Sequence, residues 1–293
     1  MTIPQDTFPL GSRSVHRMGF GAMQLPGPGV FGPPSDRAEA LAVVRRAVER
    51  GVDHIDTAQY YGPDVANELL REALYPFPEE LALVSKVGAR RDAQGAWITA
   101  ARPDELRSGV EDNLRSLGVE RLAAVNLRLP DPGHDDQGVG FDEQLDAMTA
   151  MRDEGLIEGI GLSNVTLEQF GHATERTGIV CVQNPFNLAD RSGMPLLRAC
   201  EERGVAFVPF FPLGSAFGGQ NRVLAYPAVV ATADRLGATP AQVALAWVLA
   251  LAPNTLLIPG TSSRGHLEEN LAAASLTLDD EAIRALDGAA GDH

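Results

Sequence analysis

Short β-branched or apolar runs alternate with longer helical patterns eight times along this chain, a rhythm that few folds accommodate. The runs at 17–23, 54–57, 81–86, 123–129, 159–163, 180–184, 205–210 and 255–259 read as strands. Between and after them, 36–50, 65–74, 103–117, 141–154, 167–176, 194–203, 239–251 and 265–273 read as helices. Ser35-Asp36, Thr166 and Thr239-Pro240 supply start signals, and Gly51, Gly118, Gly155 and Gly204 supply stops. No linker or shift in composition interrupts the alternation, so the expectation over residues 1–293 is one α/β domain, a (β/α)8 TIM barrel. An N-terminal β-hairpin at 8–16, turning at Leu10-Gly11, and an extra helix in the C-terminal half at 226–236 complete it.

Charge narrows the partners. With 24 basic and 39 acidic residues the net charge is −15, which repels nucleic acid and anionic membranes, so an anionic cofactor would need a local basic patch. Only Cys181 and Cys200 are present, without CxxC spacing, which suits a reducing cytoplasmic setting. The first ten residues carry no basic start or apolar run, so no secretory signal is read. The apolar stretch 241–252 is too short for a bilayer and reads as a buried helix.

In a barrel of this kind chemistry sits at the carboxyl ends of the strands. Asp56 and Lys86 end the second and third strands and Tyr61 opens the loop after the second, so adjacent strands bring the three together. An ammonium beside a phenol would stabilise the phenolate and lower its pKa, making tyrosine a usable general acid, while a carboxylate orients the lysine. Singly, each residue has a bland reading: a turn aspartate, a loop aromatic, a solvated lysine. His54-x-Asp56 and the Asp131…His134-Asp135-Asp136 group are weak metal candidates, and no metal is expected. Gly19-Phe20-Gly21 lacks the third glycine of a dinucleotide fingerprint, no phosphate-binding GxxxxGK motif occurs, and no second strand-end carboxylate suggests a glycosidase.

The barrel order, the Asp56…Tyr61…Lys86 spacing, Gly161-Leu162-Ser163-Asn164, Val182-Gln183-Asn184, Phe211-Pro212-Leu213-Gly214 and Ile258-Pro259-Gly260-Thr261-Ser262-Ser263 together resemble the aldo-keto reductase family over nearly the whole chain. The resemblance implies NADPH-dependent reduction of an aldehyde or ketone by direct hydride transfer, with Tyr61 as acid. It implies that Ser163, Asn164 and Gln183 hold the nicotinamide carboxamide, that Phe210 stacks on the ring, and that Leu213 and the glycine-rich loop 214–221 fold over the pyrophosphate. Gly260, Thr261, Ser262, Ser263 and Arg264 would take the 2′-phosphate at a helix N-terminus, with no acidic residue competing, and Glu269 and Asn270 the adenine. Gly21, Met23, Asp56 and Phe211 complete the expected cofactor set.

One position departs from the family, which carries histidine two residues before the proline that ends the fourth strand. Here Arg128 stands there, in Asn126-Leu127-Arg128-Leu129-Pro130. Arginine can polarise a carbonyl or clamp an anion, but it cannot exchange protons at working pH. With the unusual 208–213 and 21–34 segments, this resembles a bacterial subgroup of pyridoxal reductases, in which Arg128 would meet the ionised phenol oxygen beside the aldehyde. Substrate contacts are expected from Met23, Phe31, Tyr61, Trp97, Arg128 and the 129–141 loop. The other reading is an NADPH-binding sensor that keeps the fold with little turnover. The sequence leaves the oligomeric state open, a monomer included.

Overall fold

A hairpin of β1 (Thr7–Leu10) and β2 (Arg13–His16) precedes the barrel in the computed structural model, which describes residues 6–130, 137–214 and 222–289. The barrel strands are β3 (Phe20–Gly21), β4 (His54–Asp56) and β5 (Ala82–Arg91), then, after the β6 (Trp97–Ala100) excursion, β7 (Ala124–Arg128), β8 (Ile160–Ser163), β9 (Ile179–Gln183) and β10 (Ala206–Phe207). All pair in parallel in chain order, apart from β6, which pairs antiparallel with β5. The segment 254–257 closes the ring: Thr255 bridges Phe207, and Leu257 bridges Met18. There the Phe207 N–H donates to the Asn254 carbonyl at 2.9 Å and the Gly19 N–H to that of Leu257 at 2.7 Å.

Around this ring lie α1 (Arg37–Glu49), α2 (Val65–Leu74), α3 (Pro103–Leu117), α4 (Phe141–Asp153), α5 (Leu167–Arg176), α6 (Met194–Glu202), α7 (Pro227–Leu236), α8 (Pro240–Ala250), α9 (Arg264–Ala272) and α10 (Asp280–Gly288). Their ends follow from local chemistry. The Asp36 carboxylate accepts from the Glu39 N–H at 2.9 Å, and Thr166 and Thr239 form reciprocal caps with Gln169 and Gln242. Gly118 ends α3 at φ 72°, the left-handed conformation that suits glycine. α8 is apolar on nearly every side and is covered by its neighbours, with Phe186 stacked on Trp247 at 6.2 Å. The extra helix α7 is present as expected; α10 is a further helix that the sequence reading does not include. Asp279 caps α10 by accepting from the Ala282 N–H, and Asp280 and Glu281 favour its first turn.

The barrel is a packed core. Leu10 and Val15 of the hairpin plug its amino end against Ala82, Val84, Ala124, Cys181, Ala206 and Leu256, small enough that the ring can hold them all. Both cysteines are free and buried, and burial pushes the Cys200 thiol up to about 12 and Cys181 higher, so neither is a ready nucleophile. His54 also points into the interior, where a Cβ on Gly19 would stand 2.2 Å from its ring. Higher up, a Cβ on Gly161 would lie 2.2 Å from the Asn126 side-chain oxygen and 2.7 Å from the Cys181 sulfur. Gly161→Ala should therefore destabilise by about 1–3 kcal/mol through overpacking. A urea midpoint equal to that of the parent would contradict this packing.

Candidate active site

Alternate side chains of a strand face the barrel axis, and this alternation assembles the site. Arg128, Ser163 and Gln183 occupy one register row at the carboxyl ends of β7, β8 and β9. With Asp56, Tyr61 and Lys86 they line a cleft of about 720 Å³. The Lys86 ammonium donates to the Asp56 carboxylate and, at 3.0 Å, to the Thr57 carbonyl, while Gln183 Nε2 donates to the other Asp56 oxygen at 2.6 Å. Asp56 and Lys86 are both buried, and their several partners make that tolerable.

Beneath the Tyr61 loop runs a buried polar network not foreseen from sequence. The Thr57 hydroxyl donates to Asn67 at 2.8 Å, Asn67 Nδ2 to Asn113 at 3.0 Å, and the Ser85 hydroxyl to the same Asn113 oxygen at 2.6 Å. It ties the Lys86 acceptor, Thr57, to α2, α3 and β5. Tyr61 follows within a tight turn, with its ring centroid 5.0 Å from the Lys86 nitrogen.

The protonation of Tyr61 corrects an expectation. Burial pushes the phenol well above its ordinary value, the Asp56 carboxylate pushes it further, and Arg128 pulls it back. The charge that lowers it is that of Arg128, where Lys86 is the expected one. In this state the phenol stays protonated, the form that can donate.

β5 continues beyond Lys86 into a hairpin with β6 that overhangs the cleft. At Gly88, φ is 102° and a Cβ would stand 2.2 Å from the Arg128 carbonyl, so glycine lets the two backbones pass. The hairpin contributes Trp97, Ile98 and Thr99 to the lining. Trp97 packs edge-on against Tyr60 at 5.3 Å, and Tyr60 against Tyr61 at 5.4 Å. Met23, Trp97 and Arg128 line the cleft as expected; Phe31 does not, and lies outside it against Arg91, 5.3 Å from ring centre to guanidinium carbon. Of the 129–141 loop, Pro130 lines the cleft, and 131–136, with Asp131, His134, Asp135 and Asp136, lie outside the described residues. Among the described residues no cluster of His, Cys, Asp or Glu could hold a metal ion.

Most of the expected cofactor residues share this lining: Gly21, Met23, Asp56, Ser163, Asn164, Gln183, Phe210, Phe211, Leu213, Gly260, Thr261, Ser262 and Asn270. Two sit in strained backbone, Asn164 at φ 61° and Phe211 at φ 55°, which is where functional sites store strain. The Gln183 amide oxygen is buried with no hydrogen-bond partner, so the residues fit a ligand that supplies an N–H. Residues 215–221 of the expected glycine-rich flap lie outside the described residues.

The far end of the cleft departs from expectation. Ser263, Arg264 and Glu269 are not among the lining residues. The Ser263 hydroxyl oxygen caps α9, and the Glu269 carboxylate accepts from Thr239, the cap of α8, so it ties the start of α8 to α9. Arg264 does have an acidic competitor: Glu39 of α1 accepts from its N–H at 3.0 Å and from its Nε at 2.9 Å. A residue that sequence reasoning passed over, His266, lines the cleft in the same turn.

Comparison with known proteins agrees with this geometry. The profile of the Aldo/keto reductase family matches residues 17–290. The chain is 49% identical to pyridoxine 4-dehydrogenase of Escherichia coli (strain K12), over 97% of this chain and 98% of that one. It is 39% identical to an uncharacterised oxidoreductase of Schizosaccharomyces pombe, over 96% of this chain and 89% of that one. A solved aldo/keto reductase from Klebsiella pneumoniae, in complex with NADP and acetate, superposes with a TM-score of 0.81 at 26% identity, over 97% of this chain and 95% of that one. Among the described residues no helix is long and apolar enough to cross a membrane. With the barrel, the Asp56, Tyr61 and Lys86 cluster and a family match over almost its whole length, this chain belongs to the aldo/keto reductase family.

Proposed function

We propose that the chain reduces a small aldehyde or ketone with NADPH, and that pyridoxal, reduced to pyridoxine, is its candidate substrate. The observation that carries this reading is the buried Asp56 and Lys86 pair beside a protonated Tyr61 in one cleft. The likeness to pyridoxine 4-dehydrogenase supports the choice of substrate, and the NADP complex of the Klebsiella relative supports the choice of cofactor.

A nicotinamide dinucleotide bound in the cleft would supply the hydride. Ser163, Asn164 and Gln183 would hold the carboxamide, the Gln183 oxygen gaining the donor it lacks within the protein. Phe210 would support the ring, and Thr261, Ser262 and Asn270 would line the adenosine end. Tyr61 gives its hydroxyl proton to the oxygen of the substrate as negative charge develops there. Lys86, fixed by Asp56 and Thr57, sets a positive charge beside the phenolate that remains. Arg128 cannot supply that proton; its guanidinium binds the substrate through charge-assisted hydrogen bonds.

An NADPH-oxidation assay across aldehydes and ketones, pyridoxal included, tests the reading, and absence of carbonyl-dependent oxidation would overturn it. Within the same assay, Arg128→Ala should lower kcat/KM for pyridoxal about ten- to a hundredfold more than for an aldehyde without the phenolic oxygen. Equal losses on both substrates would remove Arg128 from phenolate recognition.

A further inference from the structure

We infer that Glu39 is a specificity-determining residue that weakens the preference of this site for a 2′-phosphorylated dinucleotide. The inference rests on the dinucleotide reading above and concerns how the adenosine end tells the two cofactors apart. Arg264 is the first residue of α9, so its N–H is one of the unsatisfied donors of a helix start, and its guanidinium adds charge at the same point. Both donors are directed at the two oxygens of one carboxylate, that of Glu39. The protein's own anion thus occupies donors that would serve a phosphate.

Glu39 is held there by its helix. Its N–H is fixed by the Asp36 cap, and Glu268 of α9 accepts from Arg46 at 2.6 Å and pairs with Arg50 at 2.8 Å, so α1 and α9 are clamped together. Thr261 and Ser262, just before α9, and His266, in its first turn, line the cleft, so the latch adjoins it in the chain. A carboxylate and a ribose hydroxyl are compatible, because the hydroxyl donates and the carboxylate accepts. A carboxylate and a phosphate are not: the phosphate must displace Glu39 from Arg264 and then bind beside its negative charge. Sites that select between these cofactors use an acidic residue for the hydroxyl pair and an arginine for the phosphate. This chain carries both and pairs them.

The test is direct titration of wild type, Glu39→Gln and Glu39→Ala with NADPH and with NADH, following nucleotide fluorescence so that binding is read without turnover. Removing the carboxylate should raise the ratio of the NADH Kd to the NADPH Kd by about tenfold at low ionic strength, mainly through tighter NADPH binding, and less at high salt. The neutral, nearly isosteric glutamine keeps the shape, so agreement of the two variants separates charge from packing. A ratio that stays level or falls in Glu39→Gln overturns the inference, since it would make Glu39 neutral or a support for Arg264. Wild type that binds neither dinucleotide overturns the functional reading itself, and the inference with it.

Discussion

Replacing Tyr61 with phenylalanine should lower kcat for carbonyl reduction by about 10²–10⁴-fold and leave NADPH affinity within about twofold. The change removes one oxygen and its proton, while the ring that packs on Tyr60 and faces Lys86 stays. The pH profile gives the same hypothesis a second reading. Burial and Asp56 raise the phenol, so its protonated, donating form persists as pH rises, and reduction should stay level over roughly pH 6 to 9. Alcohol oxidation needs the phenolate as base and should climb with pH over that range. Near-normal turnover in Tyr61→Phe, or reduction that falls away as pH rises through neutrality, would take the proton from another group.

The second large effect is on the folded state. Asp56→Ala should cost about 3–5 kcal/mol, because the Lys86 ammonium would remain buried with its counter-charge gone. The Thr57 carbonyl would still accept from it, and Gln183 would lose the acceptor for its amide. Urea unfolding measures the loss, and an unchanged midpoint would mean that the pair is not buried as described. Asp56→Leu combined with Lys86→Met should recover much of the stability, since apolar groups of similar volume replace both charges. Activity should not return with it. That contrast separates the charge pair as a catalytic device from the pair as a fold element.

What the sequence disclosed and what it hid divide along physical lines. Helix starts at Asp36, Thr166 and Thr239 depend on residues three apart, and all are legible. The Asp56, Tyr61 and Lys86 cluster was legible because strands that succeed one another in a barrel stand side by side. The β5–β6 hairpin was not: beyond Lys86 the strand turns charged at Arg90 and Arg91, and its pairing rests on Gly88 passing the Arg128 backbone. That hairpin also explains Phe31, which is turned toward Arg91 instead of the cleft. Nor could spacing disclose the Glu39 contact with Arg264, across 225 positions of chain, or the Glu269 cap contact. The direction of the Tyr61 shift is set first by burial of the phenol, which only geometry gives.

In the proposed reaction hydride passes directly from the cofactor to the carbonyl carbon while Tyr61 supplies a proton to the oxygen. The most direct test is to run the reduction of pyridoxal, or of the best aldehyde in the panel, in ordinary water with NADPH deuterated at the transferring position of C4. The product alcohol should carry one deuterium on its carbinol carbon, and Tyr61→Phe should slow its appearance without changing where it goes. Product without deuterium, or deuterium lost to solvent, would contradict the claim.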